Sequence, residues 1–191
     1  MLYILSMEYT SIGKNDLKIS KFALGTWPFA GGELWGHQDD NDSIEAVMEC
    51  YENGINFFDT APGYGDGRSE EVLGKAIKNI RNSVIIGTKI PPADLGKKNL
   101  SISVEKSLKR LGTDYIDLMQ IHWPNHDIPI DETTNELESL IKSGKIKEIG
   151  VSNFGLKDMT EILDEIDIVT NQLPYNAFWR AIEHDIKPFC I

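Results

Sequence analysis

The chain has 191 residues, of which 41 % are apolar and 26 % charged, the balance of an ordinary globular protein long enough to bury a sizeable core. Its net charge of −11 is spread along the chain rather than gathered in a tail; it repels phosphate backbones and argues against nucleic acid as a general partner. The two cysteines, Cys50 and Cys190, are far apart and lack CxxC or CxxH neighbours, so they indicate neither a disulfide scaffold nor a zinc site.

Residues 1–6 are apolar but shorter than a signal-peptide core and have no basic flank, so Met7 reads as the start and residues 1–6 as an upstream extension. No run approaches the length of about 18 apolar residues that spans a bilayer. The expected location is the cytoplasm, with no membrane partner. Residues 8–19 read as a β-hairpin turning at Gly13-Lys14-Asn15-Asp16.

A rhythm then sets in. Apolar strands are expected at 22–24, 56–58, 84–88, 115–121, 146–151 and 168–170, with helical patterns between them. Ile44, Val47, Met48 and Tyr51 repeat at helical spacing and place Cys50 in a helix as a small core residue, with Gly54 as the stop. Val104, Leu108 and Leu111 mark a second helix ended by Gly112, and Leu137, Leu140 and Ile141 a third ended by Gly144. Leu156, Met159, Ile162, Leu163 and Ile166 mark another, and a last helix is expected from Glu183. Nearly all-apolar strands alternating with amphipathic helices imply a parallel sheet covered by helices, and no linker divides the chain, so residues 1–191 read as one domain.

Two architectures fit: a doubly wound open sheet or a (β/α) barrel. Asp59, Lys89, His122, Ser152-Asn153 and Asn171-Gln172 all lie at C-terminal strand ends, on five successive units. A barrel collects chemistry from several strand ends at one mouth, whereas an open sheet concentrates it at one switch point, so the distribution favours the barrel. A carboxylate, a phenol (Tyr64, between Gly63 and Gly65), an ammonium and an imidazole delivered this way point to a proton-transfer site, and hence an enzyme. Singly, each has a plain structural reading: Lys89 as an exposed strand-end cation, Tyr64 as a loop aromatic, Asp59 as a helix cap, His122 as a structural histidine. Their coincidence at successive strand ends argues otherwise. His37, His126 and His184 lack such support and read as surface or structural residues. The loop Gly63-Tyr64-Gly65-Asp66-Gly67 has Arg68 where a dinucleotide fingerprint needs glycine or alanine, and no Walker pattern is present.

The ordered runs Leu24-Gly25-Thr26-Trp27, Phe57-Phe58-Asp59-Thr60-Ala61 with Tyr64-Gly65, Thr88-Lys89, Leu111-Gly112-Thr113-Asp114-Tyr115-Ile116-Asp117-Leu118 leading to Gln120-Ile121-His122, Gly150-Val151-Ser152-Asn153-Phe154 and Asn171-Gln172 resemble the aldo-keto reductases. The resemblance implies a (β/α)8 TIM barrel that reduces aldehydes or ketones with NADPH and no metal. It implies Tyr64 as general acid, Lys89 as the group stabilising its phenolate, Asp59 as the partner of Lys89, and His122 as the group that orients the carbonyl. It further implies Ser152, Asn153 and Gln172 as nicotinamide contacts, with Gly25, Thr26 and Trp27 lining the cofactor. Trp27, Tyr64, His122 and Trp123 would form the substrate pocket, and Trp35 adds to its aromatic character. An ammonium within a few Å of a phenol favours the phenolate, and a neighbouring carboxylate keeps that ammonium charged, so the three groups make sense together.

Eight βα units of such a barrel usually take about 250 residues. Six strands are counted here, so the expectation is a barrel truncated to about six units after an N-terminal hairpin, with its first and sixth strands left as unpaired edges. The alternative function on the same scaffold is a non-catalytic redox-sensing or regulatory subunit.

Overall fold

The computed structural model describes residues 6–190, so the expectation of an upstream extension falls almost wholly outside the described residues. The hairpin forms as its turn residues dictate. Strands β1 (Tyr9–Ile12) and β2 (Leu17–Ser20) pair antiparallel, with Ile12 opposite Leu17. Gly13 (φ +71°) and Asp16 (φ +50°) supply the left-handed turn geometry between them.

The hairpin is a lid on one end of the larger sheet. Asn15 donates from its backbone N and its Nδ2 to Glu148 Oε1 (2.7 and 2.9 Å), and Asn56 Oδ1 accepts from Ser20 N (2.7 Å). A Cβ built on Gly13 would fall 2.3 Å from Glu148 Cδ, so a larger residue there must push aside the carboxylate that holds Asn15. Glu148 and Asn56 lie at or near the N-terminal ends of their strands, which leaves the opposite end of the sheet open.

The main sheet is six parallel strands: β3 (Ala23–Gly25), β4 (Phe57–Asp59), β5 (Ile85–Ile90), β6 (Ile116–Ile121), β7 (Ile146–Ser152) and β8 (Asn171–Gln172). They neighbour one another in chain order, β3-β4-β5-β6-β7-β8, with no reversal. An order that never reverses has no switch point, so the doubly wound alternative falls and the sheet is the arc of a barrel. The helices α1 (Gly32–Trp35), α2 (Asp40–Glu52), α3 (Arg68–Ile77), α4 (Asn99–Leu111), α5 (Ile130–Lys142) and α6 (Leu156–Leu163) fill the crossovers, and α7 (Ile186–Cys190) follows β8. Among the described residues no helix is long and apolar enough to cross a membrane.

Alternation along the strands sorts the two faces. Phe58, Ile86, Met119 and Ile149 pack against Val72, Leu73, Val104, Leu137 and Ile162 of the helices and form the core. The opposite face carries Asp59, Lys89, Gln120 and Ser152, all buried. Two acidic groups sit in the helix-facing layer with their charge matched. Glu70 accepts from Thr88 Oγ1 and Arg110 Nε (both 2.6 Å), and Asp117 is held by Arg81 and Lys147 (both 2.7 Å).

Four expectations shift. The last strand is Asn171–Gln172 rather than 168–170: Val169 and Thr170 make single bonds to β7, and regular pairing begins only where Val151 and Ser152 meet Asn171 and Gln172. Helix α6 ends at Leu163; Ile166 lies beyond it but packs on the core, which is why its apolar spacing extended the pattern. From Ala181 to Glu183 the chain makes a 3₁₀ turn, and its helix starts at Ile186. Cys50 is half-buried and packs against the edge of the core rather than within it.

Candidate active site

At the open end, β4, β5 and β6 bring four side chains together. Lys89, on β5, is 2 % exposed, so its ammonium must find every partner within the protein. It donates to Asp59 Oδ1 and Oδ2 (2.8 and 2.9 Å), to Thr60 O (2.9 Å) and to Tyr64 Oη (3.2 Å). An ammonium has three protons, and these contacts use all three with one shared across the carboxylate. Asp59 gains a further donor, Gln120 Nε2, at 3.4 Å. Removing one partner from such a buried pair costs about 3–5 kcal/mol, because the other charge is left without compensation.

The loop that carries Tyr64 is held from below by hydroxyls. Thr26 N and Oγ1 both donate to Asp59 O (2.9 and 3.0 Å), and Ser69 Oγ lies 2.7 Å from Thr26 Oγ1 and 3.0 Å from Thr60 Oγ1. Thr26, expected to line the cofactor, is fully buried, and its hydroxyl pins the turn. Gly25 is exposed beside it, in register with Asp59.

Around Tyr64 the walls are aromatic. The Trp27 ring stacks on it (centroids 5.8 Å apart, planes at 23°), and Trp35 meets Trp27 edge-on at 5.5 Å. His122 approaches Tyr64 edge-on at 6.1 Å from the end of β6. Burial pushes the His122 pKa below its ordinary value of 6.5; the Lys89 charge adds to this and Asp59 partly offsets it. The imidazole is accordingly neutral near pH 7, able to donate one hydrogen bond. Trp123, next to it, is half-exposed at the rim.

On the other side of His122, β7 and β8 end in a polar cluster. Asn153, in the left-handed region (φ +63°), donates from Nδ2 to His122 O (3.0 Å) and to Ser152 Oγ (2.9 Å). Ser152 Oγ in turn donates to Gln172 O (3.1 Å), so its hydroxyl keeps one lone pair for a ligand. Gln172 is exposed. Among the described residues two buried polar atoms have no partner, Thr170 Oγ1 and Asn171 Oδ1, both beside this cluster.

Asp59, Tyr64, Lys89 and His122 thus share one mouth, with Trp27 against them and Ser152, Asn153 and Gln172 on the flank. The sequence reading assigned no role to Gln120 or to the Thr60 carbonyl. Gln120 was detectable: it lies two residues before His122 on one strand, and period-two alternation puts both on the same face. The Thr60 carbonyl carries no signal in the sequence.

Comparison with known proteins gives concordant results. A model of the aldo/keto reductase family matches residues 21–191. The chain is 43 % identical to the Bacillus subtilis protein named aldo-keto reductase YhdN, over 96 % of this chain and 58 % of that one. Its structure is similar to that of a thermostable aldo-keto reductase, Tm1743, solved with the inhibitor epalrestat (TM-score 0.90, 38 % identity, 96 % of this chain and 69 % of that one). It is also similar to an aldo/keto reductase from Klebsiella pneumoniae in complex with NADP and acetate (TM-score 0.88, 34 % identity, 96 % of this chain and 64 % of that one). The chain therefore spans about three-fifths of the length of the curated relative.

Proposed function

The chain belongs to the aldo/keto reductase family, and on that premise we propose that its open barrel mouth reduces aldehydes and ketones to alcohols with NADPH. The observation that carries this reading is the Lys89 ammonium held between Asp59 and the Tyr64 hydroxyl. The structural relative bound to NADP supports the choice of cofactor. So does the donor set here: a hydroxyl and two amides, at Ser152, Asn153 and Gln172, match a carboxamide that both gives and takes hydrogen bonds.

When bound, the dihydronicotinamide supplies the hydride to the carbonyl carbon. Everything else falls to the chain. Tyr64 Oη gives its proton to the carbonyl oxygen as negative charge develops there. Lys89, 3.2 Å away, stabilises the phenolate left behind, an effect strengthened by the low dielectric around it. Asp59 and Thr60 O hold the ammonium and aim it at Tyr64. Neutral His122 donates to the carbonyl oxygen and orients it, and its neutrality keeps a second positive charge away from Lys89. Trp27 and Trp35 give the substrate an aromatic wall. A cytoplasmic location belongs to the same proposal, supported by two cysteines that are both free.

Tyr64→Phe removes the proton donor together with one hydrogen-bond partner of Lys89. Reduction of a panel of aldehydes, followed by NADPH consumption, is expected to fall by about 10²–10⁴-fold, the usual range for a positioned acid. NADPH binding should be nearly unchanged. Undiminished turnover in the variant would overturn the role of Tyr64. Tight NADPH binding by the unsubstituted protein without any turnover would instead favour a redox-sensing subunit.

A further inference from the structure

We infer that Arg68 is a positioning residue that clamps the aromatic segment 27–38 over the Tyr64 loop and so holds the wall of the mouth in place. The segment has little structure of its own. It consists of a 3₁₀ turn (Trp27–Ala30) and the single turn α1, neither with a side-chain cap. Gly31, Gly32 and Gly36 have φ of +62°, +77° and +73°, and residues 32–37 are all exposed. Its apolar anchor is one buried side chain, Phe29.

Its polar anchor is one guanidinium. Arg68 Nη2 donates to Gln38 O (2.8 Å) and to Asp40 Oδ1 (2.8 Å), and Nη1 reaches Ala30 O (3.4 Å). Among the described residues, the bonds to Ala30 O and Gln38 O are the only hydrogen bonds from residues 27–38 to a distant part of the chain. The contacts fall at the two ends of the excursion, Ala30 and Gln38, with Trp35 between them and Trp27 just before. The fit is close: a Cβ on Gly31 would come within 2.8 Å of Arg68 Nη1, and one on Gly65 within 3.1 Å of Ala30. Arg68 itself opens α3, four residues after Tyr64, so the same residue ties the aromatic wall to the loop carrying the phenol. A planar fork reaches two carbonyls and a carboxylate at once; a lysine offers one point charge and cannot span them.

The clamp stands on geometry alone, and only its effect on substrate rests on the reductase reading. The test therefore reads the wall directly, in the 191-residue chain. Two indoles 5.5 Å apart couple their transitions and give a circular-dichroism couplet, which Trp35→Phe must abolish if it comes from this pair. In Arg68→Met the couplet should be lost and acrylamide quenching of tryptophan should rise, while thermal unfolding stays cooperative. Lys75→Met removes the other cation on Asp40 without touching either carbonyl, and should leave both signals intact. Arg68→Lys keeps the charge and should still lose the couplet, which separates clamping from charge if the methionine variant does not fold. A couplet that survives in a folded Arg68 variant, or that falls equally in Lys75→Met, overturns the inference. Failure of the reductase reading would appear elsewhere, as absent NADPH consumption with the couplet behaving as described.

Discussion

At the level of single residues, the site is governed by what burial does to charge. Three groups converge on the buried Lys89 Nζ, and Asp59 is in turn held by Lys89 and Gln120. At His122, burial and the nearby ammonium both disfavour the charged form. That fixes the sign of a pH effect. The folded state takes up a proton on His122 less readily than the unfolded chain, so this contribution to stability is full above pH 6.5 and is lost as pH falls below it towards the folded value. The thermal midpoint should therefore drop between about pH 7 and pH 5, and drop less in His122→Asn. Parallel curves for the two proteins would show that His122 does not carry the effect.

At the level of elements, close approach of helices α3 and α4 depends on a missing side chain. Gly74 lies inside α3, where alanine ordinarily gains about 1 kcal/mol over glycine. Here a Cβ would sit 2.7 Å from Leu111 O and 2.8 Å from Arg110 O, both backbone atoms at the end of α4 that cannot swing aside. The buried Glu70–Arg110 pair and the Glu70–Thr88 bond cross the same contact and tie α3 to both α4 and β5. Gly74→Ala should reverse the usual sign and destabilise by about 1–3 kcal/mol, the cost of overpacking a tight interface. Chemical denaturation measures this directly, and a stabilised variant would mean the helices can separate at little cost.

At the level of the whole molecule, the six strands of the described residues form an arc. Among the described residues β3 and β8 each have one neighbouring strand. Beyond β8, Tyr175, Phe178, Trp179 and Phe189 are exposed, so an unpaired edge and an apolar surface occur together. Both favour association with another chain. The 191-residue polypeptide should self-associate with rising concentration in sedimentation experiments. Ala23→Lys, which puts a charge on the β3 edge, should weaken that association. A chain that stays monomeric at all concentrations would show that the edges are protected.

The sequence by itself determined the order of strands and helices, the hairpin and the residues delivered to the mouth. These are local properties: period-two and 3.6-residue patterns, glycines at turns, and polar groups at strand ends. It also placed Asp59, Tyr64, Lys89 and His122 as candidates, because each sits at a boundary that pattern alone can locate. It could not say which partners each would find. That Thr26 is buried under Asp59, that Gln120 reaches the same carboxylate, and that Arg68 spans Ala30 and Gln38 are contacts between residues 30 to 61 positions apart. The start of β8 shifted for the same reason, since a two-residue strand is defined by its neighbour β7 and not by its own apolar run. Chain pattern sets which face a side chain occupies; only the curling of the sheet decides what it meets there.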